Sequence, residues 1–397
     1  MDFRAYKGSA GVLSLVLILA ASGANASAPL HLIKHKNQLK WMPLKDAIEI
    51  SIDSHNSGHC GGFMDLTAFS NQPQYSTVHA NATEWTPLSS DRIQPALISL
   101  SPPPLKPEHS DLVKALLPNL SADALVETVT QLSAFKNRYY KSSTGIKAAE
   151  WLYDQAKSIS KGRTDVEVVY FTHKEFKQRS VIARIIGNKV GSNAEKVIIG
   201  GHLDSVNWKD KLIAVKDRRA PGSDDDASGA STVLEVFRVL VESGYRPDRT
   251  LEFMFYAAEE VGLLGSQDIA QSYKTNQEQV VGVLQLDMTM FPSPKTHDIA
   301  VITDFVDPAL TQFSKTLIDT YVHTPWSTDE CTYECSDHAS WTEAGFPATH
   351  IFEAQSNEMN IKLHSQGDVL SILDPNHGLS FAKFALAFSV ELGGGTL

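Results

Sequence analysis

From about residue 165 onward the chain alternates between two hydrophobic periods. Short apolar runs come first: "VEVVYF", "SVIARIIG", "KVIIGGHLD", "TLEFMFYAA", "VVGVLQLDM", "DIAVITD" and "ATHIFEA". Several are almost continuously apolar, which suits strands covered on both faces. Between and after them lie stretches with apolar residues at i, i+3 and i+4: "GASTVLEVFRVLVESG", "GLLGSQDIAQSY", "PALTQFSKTLIDTYV" and "LSFAKFALAFSVEL", the period of an amphipathic helix. Strand–helix alternation predicts an α/β fold, a mostly parallel mixed sheet flanked by helices.

The chain before this region is patterned differently. Residues 27 to 105 carry scattered His, Asn, Ser and Pro with weak strand patterns such as "AIEISID" (Ala47 to Asp53). They end in "SPPPLKPEHS" (Ser101 to Ser110), a linker, because three prolines in a row fit neither a helix interior nor a central strand. Helical periodicity follows in "DLVKALLPNL", "ADALVETVTQLSAF" and "TGIKAAEWLYDQAKSI", the last with Thr144 as its expected N-cap. At the start, Arg4 and Lys7 precede the apolar run "GVLSLVLILAA", and "ANA" supplies small residues before Ser27. This is the layout of a cleaved signal peptide over residues 1–26, and the run is short for a membrane span. Export to a secreted location is the expectation, with no stable membrane anchor.

Composition narrows the partners. The formal charge is −11 over 397 residues, which argues against nucleic acid or an anionic membrane as partner. The 42% of hydrophobic residues is enough for a large core. Of the three cysteines, Cys331 and Cys335 stand close enough to bridge a tight loop and Cys60 is left over. An exported chain forms disulfides. The same spacing fits a zinc half-site, but there is no second pair to complete one.

The chemistry-bearing residues fall at strand ends. His202 and Asp204 follow one run, Asp224, Asp225 and Asp226 stand in a Gly-flanked loop before a helix, and Glu259 and Glu260 end the next strand. Asp287 ends another and His364 lies in a late loop. In open α/β sheets sites form beyond the carboxyl ends of the strands, so these residues are expected to converge. Imidazoles and carboxylates without thiolates suit zinc or a similar divalent ion. So acidic a cluster repels itself unless cations sit in it. A second carboxylate beside a ligand stands where a base is needed.

Taken together, "GGHLDS", "APGSDDDASG", "YAAEEVGLLGSQD", "LQLDMT", "CTYECSDHASW" and the His of "KLHSQGD" resemble the secreted bacterial two-zinc leucyl aminopeptidases. These are metallopeptidases with a single α/β domain of the zinc-dependent exopeptidase type. The resemblance covers roughly residues 108 to 395, so the expected division is a signal peptide (1–26) and an N-terminal pro-segment or accessory segment with its Pro-rich linker (27–105), both outside the match, and a catalytic domain (106–397). It implies that Asp225 bridges two zinc ions, His202 and Asp287 serving one and Glu260 and His364 the other. Glu259 is then the general base that deprotonates a water shared by the ions, Asp204 accepts the other ring N–H of His202, and Tyr333 hydrogen-bonds the developing oxyanion. A cis peptide after the bridging aspartate, here Asp225–Asp226, belongs to the same pattern.

The expected activity is hydrolysis of the N-terminal residue, Leu and other apolar residues preferred, from peptides with a free amino terminus. The enzyme is expected to be monomeric. The side-chain pocket implied by the resemblance is walled by Met288, Val301, Cys331, Tyr333, Cys335, Phe352, Met359 and Leu363. His350 and Ser356 stand there in place of apolar residues. The competing readings are a single-zinc glutaminyl cyclase-like amide transferase and a catalytically inactive binding domain on the same fold.

Overall fold

The computed structural model describes residues 28–36, 38–56, 62–72, 74–75, 78–82, 84–88, 103–189, 194–295 and 299–397. The signal-peptide segment and Cys60 lie outside the described residues. The N-terminal part is a small layer of its own. Strands β1 (Leu30–His35), β2 (Gln38–Pro43), β3 (Met64–Asp65) and β4 (Thr86–Pro87) pair antiparallel in the order β3-β1-β2-β4. The expected strand "AIEISID" is instead part of helix α1 (Leu44–Asn56). Over seven residues the sequence alternates, but Leu44, Ala47, Ile48, Ser51 and Ile52 are buried or half-buried along one side, with Ile50 half-buried beside them. That is a helical stripe visible only in the longer window.

The larger part begins with helices α2 (Ser110–Leu116), α3 (Ala122–Ala134) and α4 (Ser143–Ile159). Helix α4 is capped by Ser142, whose Oγ accepts the Gly145 N–H at 2.8 Å. The expected cap, Thr144, lies inside the first turn, too late to reach that donor. The central sheet then assembles from β5 (Val166–Phe171), β6 (Ser180–Ile185), β7 (Glu195–His202), β8 (Thr250–Tyr256), β9 (Gln279–Leu286), β10 (Ile299–Ile302), β11 (Trp326–Asp329) and β12 (Ala348–Phe352). Their order is β11-β10-β12-β9-β7-β8-β6-β5. The four middle strands, β12, β9, β7 and β8, are mutually parallel, and antiparallel strands β10 and β6 flank them. The edge strand β11, "WSTD", has no apolar alternation and was not legible in the sequence.

Side chains of the middle strands alternate between two packed faces. Val197 and Ile199 of β7 and Leu251, Phe253 and Phe255 of β8 join one cluster with helices α5 (Ala227–Glu242) and α9 (Pro375–Gly393). Ile198, Met254 and Tyr256 join the other with α6 (Leu264–Thr275) and α8 (His338–Ala344). Helix α7 (Pro308–Leu317), N-capped by Asp307, closes the β12 side of the first face. Burying each such side chain contributes about 1.5–3 kcal/mol, so the parallel strands form a stiff platform. Their carboxyl ends share one edge of the sheet.

The N-terminal layer packs over that edge. Leu32, Leu39, Met64 and Phe69 cluster with Leu263 and Ala339 of the larger part, and Ile52 of α1 clusters with Ala258, Val261 and Trp208. The Asp65 N–H donates to the Gly262 carbonyl at 3.1 Å, and Lys34 forms a buried ion pair with Glu334 at 2.5 Å.

Candidate metal centre

Each donor is delivered by the end of a middle strand or by the turn beside it. His202 is the last residue of β7, Asp287 follows β9 directly, and Glu259 and Glu260 open a tight turn two residues past β8. Asp225 sits in the loop entering α5, and His364 lies in the loop beyond β12. The Asp225–Asp226 peptide is cis. Ala258, Met288 and His364 have left-handed backbones, with φ of 57°, 60° and 52°. Non-glycine residues adopt this region at a cost and cluster in functional sites.

The geometry separates into two halves joined by Asp225. Its Oδ1 lies 3.0 Å from Nε2 of His202, and its Oδ2 lies 2.8 Å from Nε2 of His364. On the first side, His202 Nε2 is also 3.6 Å from Asp287 Oδ1 and 4.0 Å from Glu259 Oε2. On the second, His364 Nε2 is 2.7 Å from Glu260 Oε2. His202 is fully buried, yet neither ring nitrogen has a hydrogen-bond partner of good geometry, and neither does Glu260 Oε1. Buried donors and acceptors left this way are costly. Their lone pairs converge on shared points, as ligands do rather than partners. Two imidazoles and four carboxylates with no thiolate fit zinc.

Charge follows from that crowding. Burial pushes the Glu260 carboxyl up to about 7, with Asp225 adding to the rise. Burial alone lowers His364, but Glu260 and Asp225 outweigh it and hold the ring at about 10. Burial opposes protonation of His202 too, and the carboxylates of Asp287 and Glu259 raise it well above its ordinary value. Asp225, despite its burial, is held well below the usual carboxylate range by the two histidines. Positive charge is therefore favoured at this point, as protons or as cations.

The supporting contacts differ from the sequence expectation in one respect. Asp204 stands 3.4 Å from Nδ1 of His202, but its hydrogen bonds come from elsewhere. Its two oxygens accept the backbone N–H groups of Glu259, at 3.0 Å, and Glu260, at 3.3 Å. It therefore fixes the turn that carries both glutamates. Asp226, the neighbour of Asp225, caps α5 and accepts from the N–H groups of His202, Gly229 and Met288 at 2.8–3.1 Å. The approach is so close that a Cβ at Gly229 would lie 2.3 Å from Asp226 and 2.2 Å from the Leu286 carbonyl. Two contributors had no sequence signal. Arg138, fully buried, donates to the carbonyls of Leu203, Pro221 and Gly222 and so ties two donor loops together. Ser336 donates to Asp287 Oδ2 at 2.5 Å.

A cavity of about 660 Å³ opens onto the cluster. Met288, Cys331, Tyr333, Cys335, His350, Phe352, Ser356, Met359 and Leu363 line it, together with Glu259, Glu260, Asp225, Asp287 and His364. Val301 does not. It is buried in the helix-covered face of the sheet, and its neighbour Ile302, on the opposite side of the pleat, lines the cavity instead. Cys331 and Cys335 form a disulfide. The N-terminal layer supplies a wall that the sequence did not announce: His35, Lys36, Gly62 and Phe63.

Comparison with known proteins places this arrangement. The description of peptidase family M28 matches residues 180–389. The chain belongs to that family. It is similar to leucine aminopeptidase 1 of Emericella nidulans, 36% identical over 369 residues that cover 89% of this chain and 86% of that one. It is also similar to a probable aminopeptidase of Saccharomyces cerevisiae, 35% identical over 318 residues, 78% of this chain and 83% of that one. Among solved structures, the LapA aminopeptidase of Legionella pneumophila superposes with a TM-score of 0.75 at 28% identity, covering 94% and 95% of the two chains. A glutaminyl cyclase of Porphyromonas gingivalis, at 17% identity and a TM-score of 0.57, shares the fold alone. This M28 peptidase is a metallo-aminopeptidase, a hydrolase whose substrates are peptides.

Proposed function

We propose that this M28 enzyme is an exported, monomeric aminopeptidase that binds two zinc ions and removes N-terminal Leu and other apolar residues, with Glu259 as general base. The observation that carries the two-ion reading is Asp225, whose oxygens face two different imidazoles, each with its own second carboxylate. His202 and Asp287 would hold one ion, and Glu260 and His364 the other. Zinc there supplies Lewis acidity, lowering the pKa of water toward neutrality and polarising a carbonyl.

The chain's own groups do the rest. Burial raises the Glu259 carboxyl well above its ordinary value. His202 opposes that rise, and Asp287 adds to it. Such a carboxylate takes a proton readily and passes it to the leaving amine. The Asp204 hydrogen bonds to the Glu259 and Glu260 amides hold base and ligand in fixed register. The Tyr333 phenol, on the cavity wall, is the group we assign to the developing oxyanion. Met288, Phe352, Met359 and Leu363 form a contiguous apolar patch for the side chain, each buried methylene contributing about 0.8 kcal/mol. Export is supported by the N-terminal apolar run and by the Cys331–Cys335 bond.

Residues 27–105 we read as a pro-segment. Their layer stands over the donor edge, and a Cβ at Gly62 would lie 2.8 Å from the Tyr333 ring. Amino-terminal sequencing of the active exported enzyme tests this: mature protein beginning after residue 88 supports removal, and full activity with Leu30 retained refutes it. Zinc content together with turnover of amino-acid anilides tests the main reading. Two zinc per chain and Leu anilide hydrolysis are expected, whereas one zinc with cyclisation of N-terminal Gln would identify a cyclase. Ser356→Phe narrows the lining and should lower the Phe-to-Leu ratio of kcat/KM several-fold. An unchanged ratio would place Ser356 away from the bound side chain.

A further inference from the structure

His350 in the cavity wall and His338 behind it form a pair that the hydrolytic reading does not use. His338 and His350 stack with ring centroids 4.8 Å apart and planes 17° apart. Both are almost wholly buried, and neither nitrogen of His338 has a hydrogen-bond partner. His350 places Nδ1 3.3 Å from the Gln285 carbonyl. Donation there fixes the tautomer and leaves Nε2 with a free lone pair, the usual preparation of a metal-ligating imidazole. Burial keeps both rings below their ordinary pKa, and so neutral. The third member is Cys335: one donor atom each of Cys335, His338 and His350 lie within 4.8 Å of one another. In the disulfide that sulfur carries no negative charge, and two imidazoles alone make an incomplete set.

We propose that opening the Cys331–Cys335 bond creates an additional zinc site from Cys335, His338 and His350 in the wall of the substrate cavity. A thiolate with two imidazoles is a zinc donor set that leaves one position open. Cys335 and His350 line the cavity, and both cysteines are half-buried, so reductant and metal reach them from the substrate side. Reduction takes two electrons. A trialkylphosphine supplies them and leaves as its oxide, water giving up its oxygen to phosphorus and its two hydrogens to the sulfurs. Zinc then displaces the proton of the Cys335 thiol. One of the two orphaned nitrogens of His338 gains the partner it lacks, and a cation in the wall shortens the room for an apolar side chain.

The test counts metal rather than activity. Full-length protein saturated at its resident sites is dialysed against micromolar zinc, and bound zinc per chain is measured with and without a phosphine. One additional zinc per chain is expected on reduction. Cys331→Ser, in which Cys335 loses its disulfide partner, should bind the additional zinc without reductant, and its cobalt form should show a thiolate-to-cobalt charge-transfer band. Cys335→Ser should gain neither. Cys331→Ser combined with His350→Met should lose both, which also excludes Cys60 as the source. No additional zinc in Cys331→Ser with the fold intact by circular dichroism, or an additional zinc that survives His350→Met, would overturn the proposal. Because only the increment is read, failure here leaves the count at the hydrolytic site untouched.

Discussion

Asp224, Asp225 and Asp226 are three identical letters in one turn, and they enter two chemically opposite regions. Asp224 belongs to a closed acid cluster. Its oxygens accept from Met290 N–H and from Asn360 Nδ2, while Asp368 accepts the backbone N–H groups of Asp224 and Asp225. Glu353 accepts from the Phe291 and Asn360 amides and shares a hydrogen bond with Asp224. Burial raises Glu353 far above the carboxylate range and Asp368 to about 8, so protons neutralise this region. Asp225 instead faces two histidines, and Asp226 turns back to hold three amides. Both regions are buried and acidic. What separates them is whether the lone pairs go to fixed amide N–H donors or face two imidazoles. The first arrangement builds scaffold, and the second builds a site.

The widest separation between the regions should come from Asp225→Ala. With the shared carboxylate gone, His202 keeps Asp287 and Glu259 nearby and His364 keeps Glu260, but nothing joins the two halves. Activity should fall to the level without enzyme and zinc content should drop, while circular dichroism stays native. Retention of both zinc ions would end Asp225's assignment as the bridge. Glu259→Gln comes next. It should lose turnover by about 10²–10⁴-fold, the usual contribution of a general base, and keep its zinc and its Tm. A variant that lost zinc yet kept most of its activity would reverse the roles of Glu259 and Glu260. On the scaffold side, Asp226→Ala leaves three buried N–H groups without an acceptor. It should destabilise the chelator-treated protein by about 3–5 kcal/mol in urea unfolding, an effect visible before any metal is added. A loss below about 1 kcal/mol would show that Asp226 is not the cap the geometry makes it.

The sequence exposed the sheet more fully than it exposed this division. Continuous apolar runs between helical stripes made the parallel platform readable, and strand ends located the donors. Three letters "DDD" carry no information about direction. Only resemblance singled out Asp225, and nothing foretold that Arg138 would knit its loop to that of His202. Asp204 shows the same limit: next to His202 in sequence it suggests a partner of that ring, while the fold gives its oxygens to the Glu259 and Glu260 amides. Val301 and Ile302 are equally apolar, so a one-residue phase decides which of them lines the cavity. Helix α1 reads as a strand in the sequence because seven of its residues imitate one over a window shorter than two turns.

The smallest effect, and the one that reads both regions together, is the pH dependence of stability. His364 is held at about 10, so the stability it contributes is complete below its ordinary pKa of 6.5 and is lost as pH rises toward 10. Glu260 at about 7 and Asp368 at about 8 are raised carboxyls. Each binds its proton more tightly folded than unfolded, so each also withdraws stability as pH climbs from its ordinary value to its folded one. Imidazole and carboxyls therefore act in the same direction. Protein treated with a chelator should lose several degrees of Tm between pH 6 and pH 9. Zinc neutralises the Asp225 side without protons, and its binding strengthens as His202 and His364 deprotonate. The zinc-loaded enzyme should therefore keep or raise its Tm over the same interval, apart from a residual decline due to Asp368 in the closed cluster. Asp368→Asn in the loaded enzyme should flatten what remains of the slope. Differential scanning calorimetry across pH with and without zinc measures both curves. A Tm of the chelated protein that rises from pH 6 to pH 9 would mean that the site is not gathering protons in place of cations, and the contrast between the two regions would fail.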